Sequence, residues 1–341
     1  CRLCRAQSVI LKAGALWESM TVQWQRFAKG TLVAPVHSPF SAGGGASAAC
    51  ASIAGQARYL VAEGFNAVFV CGTNGESFSC SLAERKAMLE MWMSTEEVRA
   101  KKLRVLAHVS CLAPPETVEL ARHAAALGVD AVSYMVPCFF KPVGDAAVAK
   151  MLADFALAVP TTPVLFYHFP DMTGVACSME RVLVAAREAA PNVVGAKFTH
   201  NDLADMQASI RAGFDVLIGS GDELLLPSLV LGTAGGFSVP GMMGGNRAIL
   251  GIFEAYERGD LAAAAEYQAA HRTKWPLASS SQPGASPDLP AGHPPCRTPP
   301  ARCSACSSAT RRGLSGRARR WPSERWAAPR RSAPRGRRSA R

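Results

Sequence analysis

No run of about eighteen uncharged apolar residues occurs in the 341-residue chain, so no transmembrane helix is expected. The first thirty residues carry Arg2, Arg5 and Lys12 but lack the apolar stretch of a secretory signal. The chain opens on Cys rather than Met. Met20 is the expected natural start, with residues 1–19 extraneous inside a leader of 1–29. No G-x-G-x-x-G follows the first apolar run and no P-loop occurs, which removes the usual nucleotide signatures. A disulfide framework is also missing. The eleven cysteines are odd in number and scattered, and Cys71, Cys111 and Cys138 lie in apolar runs. That pattern suits buried thiols in a reducing, cytoplasmic setting. Cys1-x-x-Cys4 and Cys303-x-x-Cys306 have zinc-knuckle spacing, but each pair is isolated and no metal is expected.

The last part of the chain lacks the most. Residues 276–341 contain no Ile, Val, Met, Phe, Tyr or Lys, and only Leu277, Leu289 and Leu314 among the leucines. They hold 11 of the 23 prolines and 14 arginines against Asp288 and Glu324, a balance of +12. Such a segment has too little apolar surface to offset the entropy of ordering it, and a disordered tail is expected. The other 275 residues carry 23 basic and 24 acidic groups, a balance of −1. The whole-chain charge of +11 therefore describes neither part and argues for no partner. An Arg- and Pro-rich tail can bind RNA or an anionic surface. Here only Trp321 and Trp326 interleave it, no folded motif appears, and nucleic acid is not an expected partner. The abrupt break in composition reads better as a reading-frame artefact.

The body alternates two textures. Short apolar or β-branched runs recur at 31–36, 67–70, 103–109, 131–136, 163–167, 193–197, 216–219 and 235–239. Between them, Ala/Leu/Glu-rich stretches at helical period fall at 46–62, 82–93, 116–126, 146–158, 179–189, 202–210, 223–231 and 247–256. Strands apolar on both faces, each followed by a helix, indicate a parallel sheet covered by helices. Eight such units match an α/β fold of the (β/α)8 TIM-barrel type better than an open doubly wound sheet. The expected division is a barrel over 30–257, a helix over 260–275 as the remnant of a C-terminal helical domain (258–275), and the tail. Asp260 can cap that last helix, and Leu261, Ala264, Ala265, Tyr267 and Gln268 fall near one stripe.

In such a barrel the chemistry sits at the C-terminal strand ends. After the second strand, Cys71-Gly72-Thr73-Asn74-Gly75-Glu76-Ser77 can form a tight turn whose N–H groups converge on a carboxylate or phosphate, or be an ordinary connecting turn. The fifth strand ends in Tyr167-His168. Alternation puts one side chain into the lumen, and Tyr167 is the functional choice, His168 the structural one. The sixth ends in Gly195-Ala196-Lys197-Phe198-Thr199. A lysine closing an apolar strand loses its charge readily when desolvated, and a neutral amine there can attack a carbonyl. The alternative is a lysine that reaches past the strand end to solvent. Small residues at Gly195 and Ala196 are expected to leave room around the amine. After the seventh strand, Ser220, Asp222 and Glu223 follow Gly219. The two acids could bind hydroxyls or simply favour a helix start.

These segments together resemble the pyruvate-dependent class I lyases, most closely their N-acetylneuraminate lyase branch. The likeness rests on Gly72-Thr73-Asn74-Gly75-Glu76, Tyr167-His168-Phe169-Pro170 and Gly195-Ala196-Lys197-Phe198-Thr199, and runs from about residue 30 to 275. It implies an aldolase that cleaves N-acetylneuraminate, or a related 2-keto acid, through a lysine Schiff base. Lys197 matches the Schiff-base lysine and Tyr167 the proton relay. Thr73 and Asn74 match the pair that holds the pyruvyl carboxylate. Thr199, Ser220, Asp222 and Glu223 match positions that meet the sugar-derived part. The resemblance also implies a homotetramer and no metal or cofactor. Three positions depart from the pattern. Val239 stands where the lyases have a serine, Met172 stands where the synthase branch has an arginine, and the helical domain is expected to stop near Trp275.

Overall fold

The computed structural model describes residues 22–40 and 50–274. Eight strands close into a barrel in sequence order, every pairing parallel: β1 (Thr31–Ala34), β2 (Ala67–Val70), β3 (Arg104–His108), β4 (Ala131–Tyr134), β5 (Val164–His168), β6 (Val193–Phe198), β7 (Asp215–Ile218) and β8 (Gly235–Phe237). β8 returns to pair with β1. Helices Cys50–Ala62, Leu82–Ser94, Pro114–Ala126, Asp145–Leu157, Met179–Ala189, Leu203–Arg211, Leu225–Val230 and Asn246–Glu257 follow the strands in turn. The expected (β/α)8 barrel is the fold. Its helix starts are locally encoded: Ser81 and Glu84 form a reciprocal capping box, and the Asp202 carboxylate accepts from the N–H groups of Ala204 and Asp205.

Two apolar layers follow from strand alternation. Val33, Ala67, Phe69, Leu106, Ala131, Leu165, Tyr167, Leu217 and Phe237 fill the lumen. Val68, Val70, Val105, Phe166, Ala196, Phe198 and Ile218 face the helices. Trp24 and Phe27 close the N-terminal end of the barrel, so the last residues of the expected leader pack against it. The tail and both Cys-x-x-Cys pairs lie outside the described residues.

Several expectations change in detail. β7 begins at Asp215, one residue early, because this acid is held by partners at the barrel base (Trp24, Arg26 and Phe27). The helix expected at 223–231 is a 3-10 turn, Asp222–Leu224, followed by a short helix. The final helix, Leu261–Lys274, is capped by Asp260 as expected, with Ala263 N donating to Asp260 Oδ1 at 3.0 Å. Its buried stripe, however, is Ala264, Gln268 and His271; Leu261, Ala265 and Tyr267 are exposed. Its polar members, Gln268 and His271, are buried because they bond to Asp222 in the loop after β7.

Candidate active site

Lys197 and Tyr167 are register partners on adjacent strands, so their side chains enter the lumen side by side. Lys197 is 4% exposed, and no carboxylate pairs with it among the described residues. Its Nζ instead lies over three aromatic rings: 4.1 Å from the centroid of Tyr167, 4.2 Å from Phe69 and 4.4 Å from Phe237. Burial pushes its pKa from 10.5 down to about 7, because removing an ammonium from water favours the neutral amine. The ring faces offset only part of that loss. Ala196 does not shape this space, since it points outward into the helix layer. Gly219 does: a Cβ built there would stand 2.8 Å from Thr199 Oγ1 and 3.2 Å from Lys197 Cε.

The Tyr167 hydroxyl is 3.0 Å from Thr73 Oγ1. Burial holds the phenol protonated, with its pKa pushed up to about 12 despite the hydroxyls of Thr73 and Thr199. His168 points outward, as alternation requires. It stacks on Phe198 at 5.7 Å, and its pKa is lowered to about 4 by burial and by neighbouring His200.

The turn after β2 is built differently from the sequence expectation. Its left-handed residues are Cys71 and Glu76, at φ 57° and 48°, not the glycines. Gly72 is required by close approach, since a Cβ there would collide with the Phe69 ring. Gly75, Glu76 and Ser77 donate their N–H groups back to Gly72 and Thr73 carbonyls. The N–H groups of Thr73 and Asn74 donate to no acceptor among the described residues. Two such amides, in the turn whose Thr73 hydroxyl meets the Tyr167 phenol, are the kind of donors a carboxylate accepts from.

The positions after β6 and β7 lie on the same end of the barrel. Thr199 is buried and Ser220 Oγ is buried without a partner. Glu223 is half-buried. Asp222 is 5% exposed, and its Oδ2 is already engaged: Ser238 Oγ donates at 2.8 Å and His271 Nε2 lies at 3.1 Å.

One lumen residue escaped the sequence reading. His108 ends β3 with its ring 5.5 Å from Tyr167 and 5.8 Å from Phe69. Burial, followed by the charges of Arg85 and Lys197, holds its pKa well below the usual imidazole value. The signal was available, since His108 shares the parity of lumen-facing Leu106. Arg85 fixes this strand end, donating to the carbonyls of His108 at 2.7 Å and Ser110 at 2.9 Å.

A family model for dihydrodipicolinate synthetases matches residues 28–274. The chain belongs to the dihydrodipicolinate synthetase family. Mouse N-acetylneuraminate lyase is 38% identical over 220 residues, covering 62% of this chain and 66% of that relative. The solved N-acetylneuraminate lyase of Aliivibrio salmonicida superposes with a TM-score of 0.66 at 33% identity, covering 72% of this chain and 79% of that one. A catalytic-lysine mutant of Ruminococcus gnavus sialic acid aldolase superposes with a TM-score of 0.63 at 29% identity, over 71% and 77% of the two chains. Within this family fold, the lumen lysine, the tyrosine paired to it and the free-amide turn occupy one end of the barrel.

Proposed function

We propose that the protein is a class I aldolase that cleaves N-acetylneuraminate to N-acetylmannosamine and pyruvate through a Schiff base on Lys197, without metal or cofactor. One observation carries the reading: a fully buried lysine with a pKa near 7 stands beside a protonated tyrosine at the C-terminal end of the barrel. At neutral pH a large fraction of that amine is free to attack. The similar lyases from mouse and Aliivibrio salmonicida, and the aldolase with a catalytic lysine, support the same substrate class.

The proposed steps balance within these residues. The Thr73 and Asn74 amides bind the substrate carboxylate. The Lys197 Nζ lone pair attacks the C2 carbonyl, and a proton passes from nitrogen to the new alkoxide. Tyr167 gives its hydroxyl proton to the C2 hydroxyl, which leaves as water, and a protonated imine remains beside a tyrosinate. The imine cation stabilises that anion, which a phenol of high pKa needs. Tyrosinate then takes the C4 hydroxyl proton. The C3–C4 bond breaks, its electron pair enters the enamine, and the aldehyde departs. Tyr167 returns a proton to C3, and water hydrolyses the imine to release pyruvate. Thr199, Ser220, Asp222 and Glu223 contact the polyhydroxy end.

A second reading is an aldolase or synthase of the same family acting on a smaller 2-keto acid. It draws on the engagement of Asp222 Oδ2 by Ser238 and His271. Borohydride reduction with pyruvate, followed by mass mapping, tests the chemistry. A pyruvyl adduct on Lys197 is expected, and its absence in a folded sample overturns the mechanism. Cleavage of N-acetylneuraminate faster than 4-hydroxy-2-oxoglutarate is expected. The reverse order favours the second reading. The free thiols Cys71, Cys80, Cys111, Cys138 and Cys177 support a reducing, cytoplasmic setting. No helix among the described residues is long and apolar enough to cross a membrane. A homotetramer completes the proposal, and analytical ultracentrifugation tests it.

A further inference from the structure

The helix Leu261–Lys274 follows the eight barrel units, yet its buried edge reaches one of the proposed substrate contacts. Gln268 and His271 lie three residues apart and therefore share a face. Gln268 Nε2 donates to the Asp222 carbonyl at 2.9 Å, and its Oε1 accepts from Leu226 N at 3.0 Å. This amide ties the start of the 3-10 turn to the first turn of the helix that follows it. His271 Nε2 lies 3.1 Å from Asp222 Oδ2, with both side chains 4% exposed. Ser238, from the loop after β8, donates to the same oxygen at 2.8 Å and accepts from Gly241 N at 2.9 Å. Oδ1 of Asp222 accepts no hydrogen bond among the described residues.

Each polar side chain in this cluster loses hydration on burial, a loss offset only by well-directed bonds. Two donors on one carboxylate oxygen hold the plane of the group as well as its position. They leave the other oxygen's lone pairs unused. Nδ1 of His271 is buried without a hydrogen-bond partner among the described residues. The ring is therefore committed to Asp222 alone.

We propose that His271 is a positioning residue for the polyhydroxy end of the substrate. With Ser238 it pins Oδ2 of Asp222, so that Oδ1 is the oxygen presented to a substrate hydroxyl. This rests on the aldolase reading of the site. It makes the helix after the barrel part of the specificity apparatus, and it separates binding of the chain's far end from the Schiff-base chemistry at Lys197.

The test compares His271→Leu with His271→Gln in the full chain. Gln keeps an N–H donor near the Nε2 position. In His271→Leu, KM for N-acetylneuraminate is expected to rise about tenfold, the loss of one charge-assisted hydrogen bond. Its kcat stays within about threefold, and neither cleavage of 4-hydroxy-2-oxoglutarate nor the pyruvyl adduct on Lys197 changes. His271→Gln restores KM to within about threefold. An unchanged KM in folded His271→Leu overturns the proposal, as does a drop in adduct yield shared by both variants, which marks a structural role. A wild-type chain that forms no adduct sinks the aldolase reading and this proposal with it; a normal adduct with an unmoved KM sinks this proposal alone. If His271→Leu does not fold, Ser238→Ala removes the other donor and must raise KM in the same direction.

Discussion

The two ends of the barrel bury opposite charges and treat them in opposite ways. At the N-terminal end, Asp215 opens β7 at 9% exposure and every approach to it is answered. Trp24 Nε1 donates to it at 2.7 Å, Phe27 N at 3.4 Å and Arg26 Nη1 at 3.5 Å. Arg104 lies over the Trp24 and Phe27 rings and pairs with Asp130 at 3.3 Å. At the C-terminal end, Lys197 is buried as deeply with ring faces for company and no counter-ion among the described residues. A buried charge that keeps its partners stays ionised and is costly to unpair, whereas one without them is poised to lose its charge. The base therefore acts as a plug and the mouth as a site.

The largest effect should come from removing the unpartnered charge. Lys197→Met keeps the bulk of the side chain and abolishes both adduct and cleavage. It should also stabilise the fold. Unfolded, the lysine titrates near 10.5; folded, near 7. Between those values the folded chain binds fewer protons, so wild-type stability rises with pH across that window. Below pH 7 both states are charged and the folded one bears the full desolvation penalty, on the order of 2–5 kcal/mol. The Met variant escapes it. Its Tm should exceed the wild type by roughly 5–10 °C at pH 6, and the gain should fade by pH 10. Adduct formation by the wild type should increase with pH through about 7. A Met variant less stable at every pH would remove the contrast between mouth and base.

The next effect separates amine from relay. Tyr167→Phe leaves the aromatic cage in place and deletes the hydroxyl bonded to Thr73. Cleavage kcat should fall by about 10²–10³, the usual loss for a positioned proton-transfer group. The pyruvyl adduct should still accumulate on long incubation. Immediate loss of the adduct would mean that the hydroxyl is needed for attack itself.

Much of this contrast was legible in the sequence, for a local reason. The eight apolar runs and the parity of Tyr167 against His168 follow from period-2 alternation, which needs no knowledge of distant residues. Lys197 stood out because a charge closes an apolar strand. What stayed hidden depends on contacts far apart in the chain. Asp215 meets Trp24 across 191 positions, and Asp222 meets His271 across 49. Asp222 therefore reads as a free hydroxyl binder or a helix-start charge, and of the stripe expected on the last helix only Ala264 and Gln268 are buried, joined by His271. Cys71 and Glu76, not the glycines, hold the left-handed backbone of the turn after β2, because the surrounding turn over-determines it.

At the base, Asp215→Ala should lower stability by about 2–3 kcal/mol, since the Trp24 indole N–H is left without its acceptor. Asp215→Asn, which keeps an acceptor oxygen, should lose about half of that. Neither should change adduct yield per folded molecule, because the plug lies at the far end of the lumen. Chemical denaturation paired with adduct quantification checks both. Reduced adduct yield in a fully folded Asp215→Asn would show that the two ends are energetically coupled.

The smallest effect should fall on Thr73, where the two functions of the turn after β2 divide. Thr73→Val deletes the hydroxyl bonded to Tyr167 but leaves the Thr73 and Asn74 amides in place. Thr73 is exposed, so water can take over its bond to the phenol. Cleavage kcat should therefore fall only about two- to tenfold, the pyruvate concentration that half-saturates adduct formation should stay within about twofold, and Thr73→Ser should recover the rate. The opposite split, a tenfold rise in that concentration with kcat unmoved, would transfer the hydroxyl from the relay to the carboxylate grip. Tyr167 would then keep only the Thr199 hydroxyl as a side-chain neighbour for its proton.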